Sequence, residues 1–244
     1  MSSKTNWTAI LIIVLVVVAG ALAILWQRSS SIPQQPSTTA TTTPSTASTT
    51  PVYDQTISDG TVSFAFPSAT FGLAVSADQV LVHSYIPPCA QGFGYCLYYI
   101  GADYQGTNFE SAGVRIQKRP DLASESVCLR TPPDGYGAGT QPATTSSFSS
   151  YGASVFSVGD AGAGHYASGD LYRVFYRPTA TCYELETRIG ATQFANYPAG
   201  SIKEFTADDQ AALTASLNDL LAHMTLPNNT ALVLPPAPAT PSPQ

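Results

Sequence analysis

The sequence predicts an α+β protein: an N-terminal transmembrane helix, a disordered linker, then one mostly antiparallel β-sheet domain with a C-terminal amphipathic helix. Three observations carry this expectation. An uncharged apolar run fills 9–26, strand-like segments recur along the middle of the chain, and a stretch from Thr206 has helical periodicity. They divide the 244 residues into a short cytoplasmic N-terminus (1–8), a transmembrane anchor (9–26), a Ser/Thr/Pro-rich linker (27–51), an extracytoplasmic α+β domain (52–226) and a Pro-rich disordered tail (227–244).

The anchor reads AILIIVLVVVAGALAILW from Ala9 to Trp26, without charge or proline. About 18 such residues cover the hydrocarbon core of a bilayer as a helix. A cleaved signal peptide is the alternative, since Lys4 gives a basic start and Ala21-Leu22-Ala23 has the small-residue cleavage pattern. The run continues through Ile24, Leu25 and Trp26, however, where a cleavage region would turn polar. Lys4 on one side and Arg28 on the other set the direction only weakly.

The cysteines orient it better. Cys89, Cys96, Cys128 and Cys182 all follow the run, and an even number in an exported chain suggests two disulfides. Three pairings are open. The expected ones are Cys89 with Cys96, closing a short loop, and Cys128 with Cys182, tying distant segments. Free buried thiols are one alternative and zinc another, but a C-x6-C spacing is wide for paired zinc ligands. No cofactor is expected.

Between Ser29 and Pro51 the chain is almost entirely Ser, Thr, Pro, Gln and Ala, too poor in apolar residues to build a core. As a flexible tether it would reach about 25 to 30 Å. All the Asp and Glu residues follow it, whereas Lys4 and Arg28 precede the domain, so the domain is more acidic than the whole-chain net charge of −6. Such a domain is repelled by phosphate backbones, which disfavours nucleic acid as a partner.

Strands are expected at Thr61–Phe66, Phe71–Val75, Gln79–Ile86, Cys96–Ile100, Phe109–Lys118, Ala153–Val158, Asp170–Arg177 and Thr181–Ile189, each rich in β-branched or aromatic residues and separated by turn residues. A short helix is expected near Asp121–Ser126. The main helix starts at Thr206, with Asp209 three residues on as a capping box. Leu213, Leu217, Leu220, Leu221 and Met224 then fall on one face. The glycine-rich run Gly159–Gly169 reads as a broad hairpin loop, because it lies between strands and lacks the features of a phosphate-binding turn.

Candidate site residues come from the hairpin LYRVFYR-PTAT-CYELETRI. With Arg177 opposite Cys182, Arg173 would face Glu186, and these side chains with Glu184 would share one face. Tyr172, Val174, Tyr176, Tyr183 and Leu185 would point to the other. Arg173, Arg177, Glu184 and Glu186 could then floor a polar groove, with His165 as a further ligand contact from the glycine-rich run. The blander expectation is a solvated face laced with ion pairs worth a few tenths of a kcal/mol each. No G-x-S-x-G elbow is present, and His83, His165 and His223 are dispersed along the chain, so no catalytic set is assigned.

Asp59-Gly60 leads into Phe64-Ala65-Phe66-Pro67-Ser68, alternating strands follow, and the Thr206–Leu226 helix closes the domain; in this the chain resembles PsbP-like domains. The displaced aromatic at Phe71, the cysteines and the long Thr131–Ser147 loop depart from that pattern. The resemblance implies an antiparallel α/β sandwich used for binding or assembly. The chain is similar, too, to uncharacterised membrane-anchored domains of bacterial envelopes. The expected role is a membrane-tethered, non-enzymatic binding or assembly module, held in the membrane by its N-terminal helix and meeting an envelope protein or cell-wall partner. The alternative is an exported enzyme using the groove around Arg173, Glu184, Glu186 and His165.

Overall fold

In the computed structural model, residues 51–58, 61–73 and 94–237 are described. The expected anchor at 9–26, the linker up to residue 50, Cys89, His83 and the expected strand at 79–86 lie outside them. Among the described residues, no helix is long and apolar enough to cross a membrane.

The α+β expectation is corrected. The described residues are predominantly β, arranged in two antiparallel sheets with few helices. One sheet has the order β1-β2-β10-β11, built from β1 (Gln55–Ser58), β2 (Ser63–Phe66), β10 (Met224–Leu226) and β11 (Thr230–Ala231). The other runs β3-β4-β5-β9-β8-β7-β6, from β3 (Phe71–Leu73), β4 (Gly94–Tyr99), β5 (Phe109–Lys118), β6 (Thr144–Ser147), β7 (Tyr151–Gly162), β8 (His165–Tyr176) and β9 (Thr181–Thr192). Among the described residues two α-helices accompany them: α1 (Glu125–Arg130) and α2 (Ala207–Ala222).

The extra β content has local causes. The glycine-rich run is not a broad loop: β7 continues to Gly162 and β8 begins at His165, leaving a two-residue turn at Ala163 and Gly164. Both turn residues have positive φ, 51° and 82°, the backbone twist that suits a tight hairpin. Gly169 is required for a separate reason, since a Cβ there would sit 1.8 Å from the Thr187 carbonyl oxygen of the next strand. At the other end of the chain, α2 stops at Ala222 with His223 as its cap. Met224, placed by periodicity on the helix stripe, instead opens β10 and pairs with Phe64. Part of the segment 227–244 belongs to the fold as well: β11 pairs with β10, and Leu232 is buried.

α2 forms as its sequence dictates. Thr206 accepts from the Asp209 amide and the Asp209 carboxylate accepts from the Thr206 amide, the reciprocal capping box. Leu213, Leu217, Leu220 and Leu221 bury one stripe in the main core, where they meet Phe64 and Phe66 of β2 and Tyr172, Val174, Tyr183 and Leu185 of the large sheet. Tyr53 closes the end of α2 by stacking on His223 and donating to Asp219.

The core thus occupies one face of the seven-stranded sheet. The opposite face carries two smaller apolar clusters. One holds Leu122, Cys128, Phe175 and Cys182; the other holds Phe156, Val158 and Leu171. Charged side chains fill the space between them.

Candidate functional site

Cys128 on α1 is bonded to Cys182 on β9 across 54 residues of sequence, as the spacing of the cysteines led one to expect. That bond removes both sulfurs from the zinc alternative. Cys96 is disulfide-bonded as well. The bridge holds α1 over the second face of the sheet, and two further contacts keep it there. Arg177 grips Glu125 through Nε (3.0 Å) and Nη2 (2.6 Å), and Ser154 donates to the Leu129 carbonyl at 2.8 Å. Arg177 therefore serves the α1 anchorage and is not part of the groove floor expected for it. Its neighbour Glu125 is held below the usual carboxylate range by that guanidinium.

Under this cover lies the ionic cluster. Arg173 pairs with Glu184 in the register, and Leu171 with Glu186, so the β8–β9 pairing is two residues away from the expected one. A shift of two keeps every side chain on its face. Arg173, Glu184 and Glu186 do share one face, therefore, joined by Arg115 and Gln117 from β5 and Arg188 from β9.

Glu184 accepts four hydrogen bonds. Its Oε1 takes Arg115 Nη2 at 2.6 Å and Gln117 Nε2 at 2.7 Å; its Oε2 takes Arg119 Nη1 at 2.7 Å and Arg173 Nη1. Glu186 accepts from Arg115 Nη2 at 2.6 Å and Arg188 Nε at 3.0 Å. The expected solvated face is overturned by burial: Arg173 is 0% exposed, Glu184 1%, Glu186 3%, and Arg115 and Arg188 6% each. Desolvation pulls the Arg173 guanidinium below its ordinary value, opposed by the Glu184 carboxylate. Toward the edge, Arg119 is held above its ordinary value by a double hydrogen bond to Asp121, whose carboxyl it lowers in turn.

The balance of buried donors and acceptors is uneven. Three buried arginines face two buried glutamates, and Arg115 Nε, Arg173 Nε and Nη2, and Arg188 Nη1 have no hydrogen-bond partner among the described residues. Buried polar groups are nearly always bonded, and an orphan costs about 1–3 kcal/mol, more if charged. A cavity of about 340 Å³ adjoins Arg115 and Arg188, with Glu184 and Glu186 also in its floor and Asp160 and the Pro133–Tyr136 segment, Asp134 included, in its wall. Tyr136 fastens that segment by donating to the Gly159 carbonyl at 2.9 Å.

His165 does not join this group. It starts β8, eight residues from Arg173 or about 26 Å of extended strand, and its Nδ1 lies 2.9 Å from the Glu110 carboxylate. Nor are the glutamates free for proton transfer, because the carboxylate oxygens of both accept from arginine. Arg115, Arg119 and Arg188 were missed by sequence reasoning. Arg188 continues the alternation of Glu184 and Glu186 and could have been added on that ground; Arg115 required the β5–β9 pairing. Comparison with protein families, curated proteins and solved structures returns no match for this chain.

Proposed function

We propose that this chain is a membrane-tethered binding module of the cell envelope, non-enzymatic, with its domain outside the cytoplasm, and that its site is the arginine-floored cavity. The ligand feature it would hold is a carboxylate or similar oxyanion displayed by an envelope partner. The observation that carries this reading is the buried Arg115 and Arg188 N–H groups that have no partner among the described residues and stand beside a cavity. An oxyanion supplies the acceptors they lack, with the planar geometry that arginine recognises best.

The anchor rests on the apolar run at 9–26, and the compartment on the Cys128–Cys182 bond, which persists in oxidising surroundings. A binding or assembly role also agrees with what the resemblance to PsbP-like domains implies. The full occupation of Glu184 speaks against the enzyme alternative, since a general base needs a lone pair to offer.

The test is thermal unfolding of the detergent-extracted chain in acetate, citrate, phosphate or sulfate, against chloride at equal ionic strength. At a hundred times Kd, a bound anion adds about 2.7 kcal/mol. We expect at least one oxyanion to raise the midpoint and Arg188→Gln to abolish the rise. Equal midpoints in all the salts, or an undiminished rise in Arg188→Gln, would overturn the reading.

A further inference from the structure

On the other face of the same sheet, between β7, β8, β9 and α2, lies a second cavity of about 350 Å³. That is the lower end of the range in which small-molecule sites fall. Its residues include Tyr166, Ser168 and Asp170 from β8, Thr187 and Ile189 from β9, and Gln210, Thr214 and Leu217 from α2. It shares no charged residue with the arginine cavity.

Asp170 is its one charged wall residue among those described, and it is only 7% exposed. Its backbone is satisfied: the amide donates to Thr187 Oγ1 at 3.1 Å, and the carbonyl accepts from the same hydroxyl at 3.4 Å. Its carboxylate has no hydrogen bond or ion pair among the described residues. The cause of its upward displacement to about 6 is burial alone. Nothing cationic among the described residues faces it. From β8 the titratable neighbours are Tyr166 and Tyr172; β7 offers Ser157, the register partner of Asp170, β9 offers Thr187 and α2 offers Gln210 and Thr214.

A buried carboxylate with no partner is a liability to folding, and the fold has a neutral remedy, asparagine, that it does not use. One neighbouring hydroxyl is also held in place. Gln210 Nε2 donates to Ser168 Oγ at 2.8 Å, which fixes that hydroxyl in the wall with a lone pair still available. The remaining wall from Ile189 and Leu217 is apolar.

We propose that this cavity is a binding site for a primary alkylammonium group, with the ammonium on the Asp170 carboxylate and its alkyl stem along Ile189 and Leu217. An ammonium both neutralises the carboxylate and donates hydrogen bonds to it and to the neighbouring hydroxyls. A neutral hydroxyl ligand would do only the second. The site is independent of the oxyanion reading and would stand if that one failed.

The experiment is calorimetric titration of the detergent-extracted full chain at pH 7.5 with n-butylammonium chloride. Tetramethylammonium chloride, which has the charge but no N–H, is the control. Butylammonium should bind at least tenfold more tightly than tetramethylammonium. Asp170→Asn should remove that preference with far-UV circular dichroism unchanged. Thr214→Phe, which narrows the cavity from α2 and leaves the carboxylate in place, should weaken butylammonium severalfold and covers the case in which Asp170→Asn does not fold. Equal binding of the two cations by the wild type, a preference for butylammonium that is undiminished in the folded Asp170→Asn protein, or butylammonium affinity that is unchanged in Thr214→Phe, would overturn the proposal.

Discussion

Arg173 and Glu184 stand opposite one another on β8 and β9, joined guanidinium to carboxylate, and both are sealed from solvent. Their roles are unequal. Glu184 gathers four donors, from Arg115, Gln117, Arg119 and Arg173, whereas Arg173 makes one bond and leaves Nε and Nη2 orphaned. Removing the glutamate strands three cations near one another. Removing Arg173 leaves a carboxylate that still has three donors, and eliminates two orphaned nitrogens.

Glu184→Leu should therefore destabilise the domain by about 3–5 kcal/mol, the range for breaking a buried pair from one side. Arg173→Met should cost markedly less, because the gain in apolar packing offsets part of the lost bond. Urea unfolding of the two variants measures both. Equal losses would mean that the cluster behaves as separate pairs and not as a network centred on Glu184.

The face on which each of these residues lies was legible in the sequence, because alternation survives an error of two in pairing. The pairing itself was not. Its turn folds as a short 3-10 segment, Arg177–Thr179, followed by Ala180 with φ at 47°, and β9 starts at Thr181. Nor was the burial of the charged face legible. It depends on the Leu122–Tyr136 region crossing that face, pinned by a bond between residues 54 apart. The second sheet was hidden for a different reason: β1, β10 and β11 are two to four residues long, too short to display a period. The α2 start, by contrast, is encoded within four residues, Thr206 to Asp209, and was read correctly.

The Cys128–Cys182 bond should contribute about 4 kcal/mol by closing so long a loop in the unfolded chain. Cys128→Ala with Cys182→Ala should lower the unfolding free energy by roughly that amount and release α1 from the sheet. The consequence reaches the site, since α1 leads into the Pro133–Tyr136 wall of the arginine cavity. Loss of stability together with loss of any oxyanion response is the expected outcome. An oxyanion response that persists would show that Tyr136 holds the wall without help from the disulfide.

Thr206→Ala should cost about 1 kcal/mol, the usual worth of an N-cap. Both halves of the reciprocal box depend on this residue, for Thr206 Oγ1 accepts from the Asp209 amide and also donates to Asp209 Oδ2 at 2.7 Å. Thr206→Asp should retain the capping oxygen but place two carboxylates in contact, and so should recover only part of the loss. Denaturant midpoints of the three proteins at one pH give the order wild type, Asp, Ala. If Thr206→Asp matched the wild type, the hydroxyl donation to Asp209 would contribute nothing.

Asp170 gives a pH dependence of unusual sign. Its carboxyl is pushed up to about 6 in the folded protein from an ordinary 3.8, so the folded state holds the proton more tightly than the unfolded chain. Ionisation then penalises folding, and the contribution to stability falls as pH rises from about 4 to about 6 and is constant above. A gap of two units corresponds to about 3 kcal/mol at most, and partial access of water reduces it. Asp121 and Glu125 act in the opposite sense, since their lowered carboxyls lose stability as pH falls through the acid range. The comparison with Asp170→Asn cancels those groups. The variant should gain on the wild type by about 1–3 kcal/mol between pH 4 and pH 7, measured by urea unfolding at each pH. Parallel curves would show that the carboxylate is already neutralised by a partner. If n-butylammonium occupies the cavity, it should raise wild-type stability at pH 7 and leave the variant unmoved, narrowing the gap from the ionised side alone.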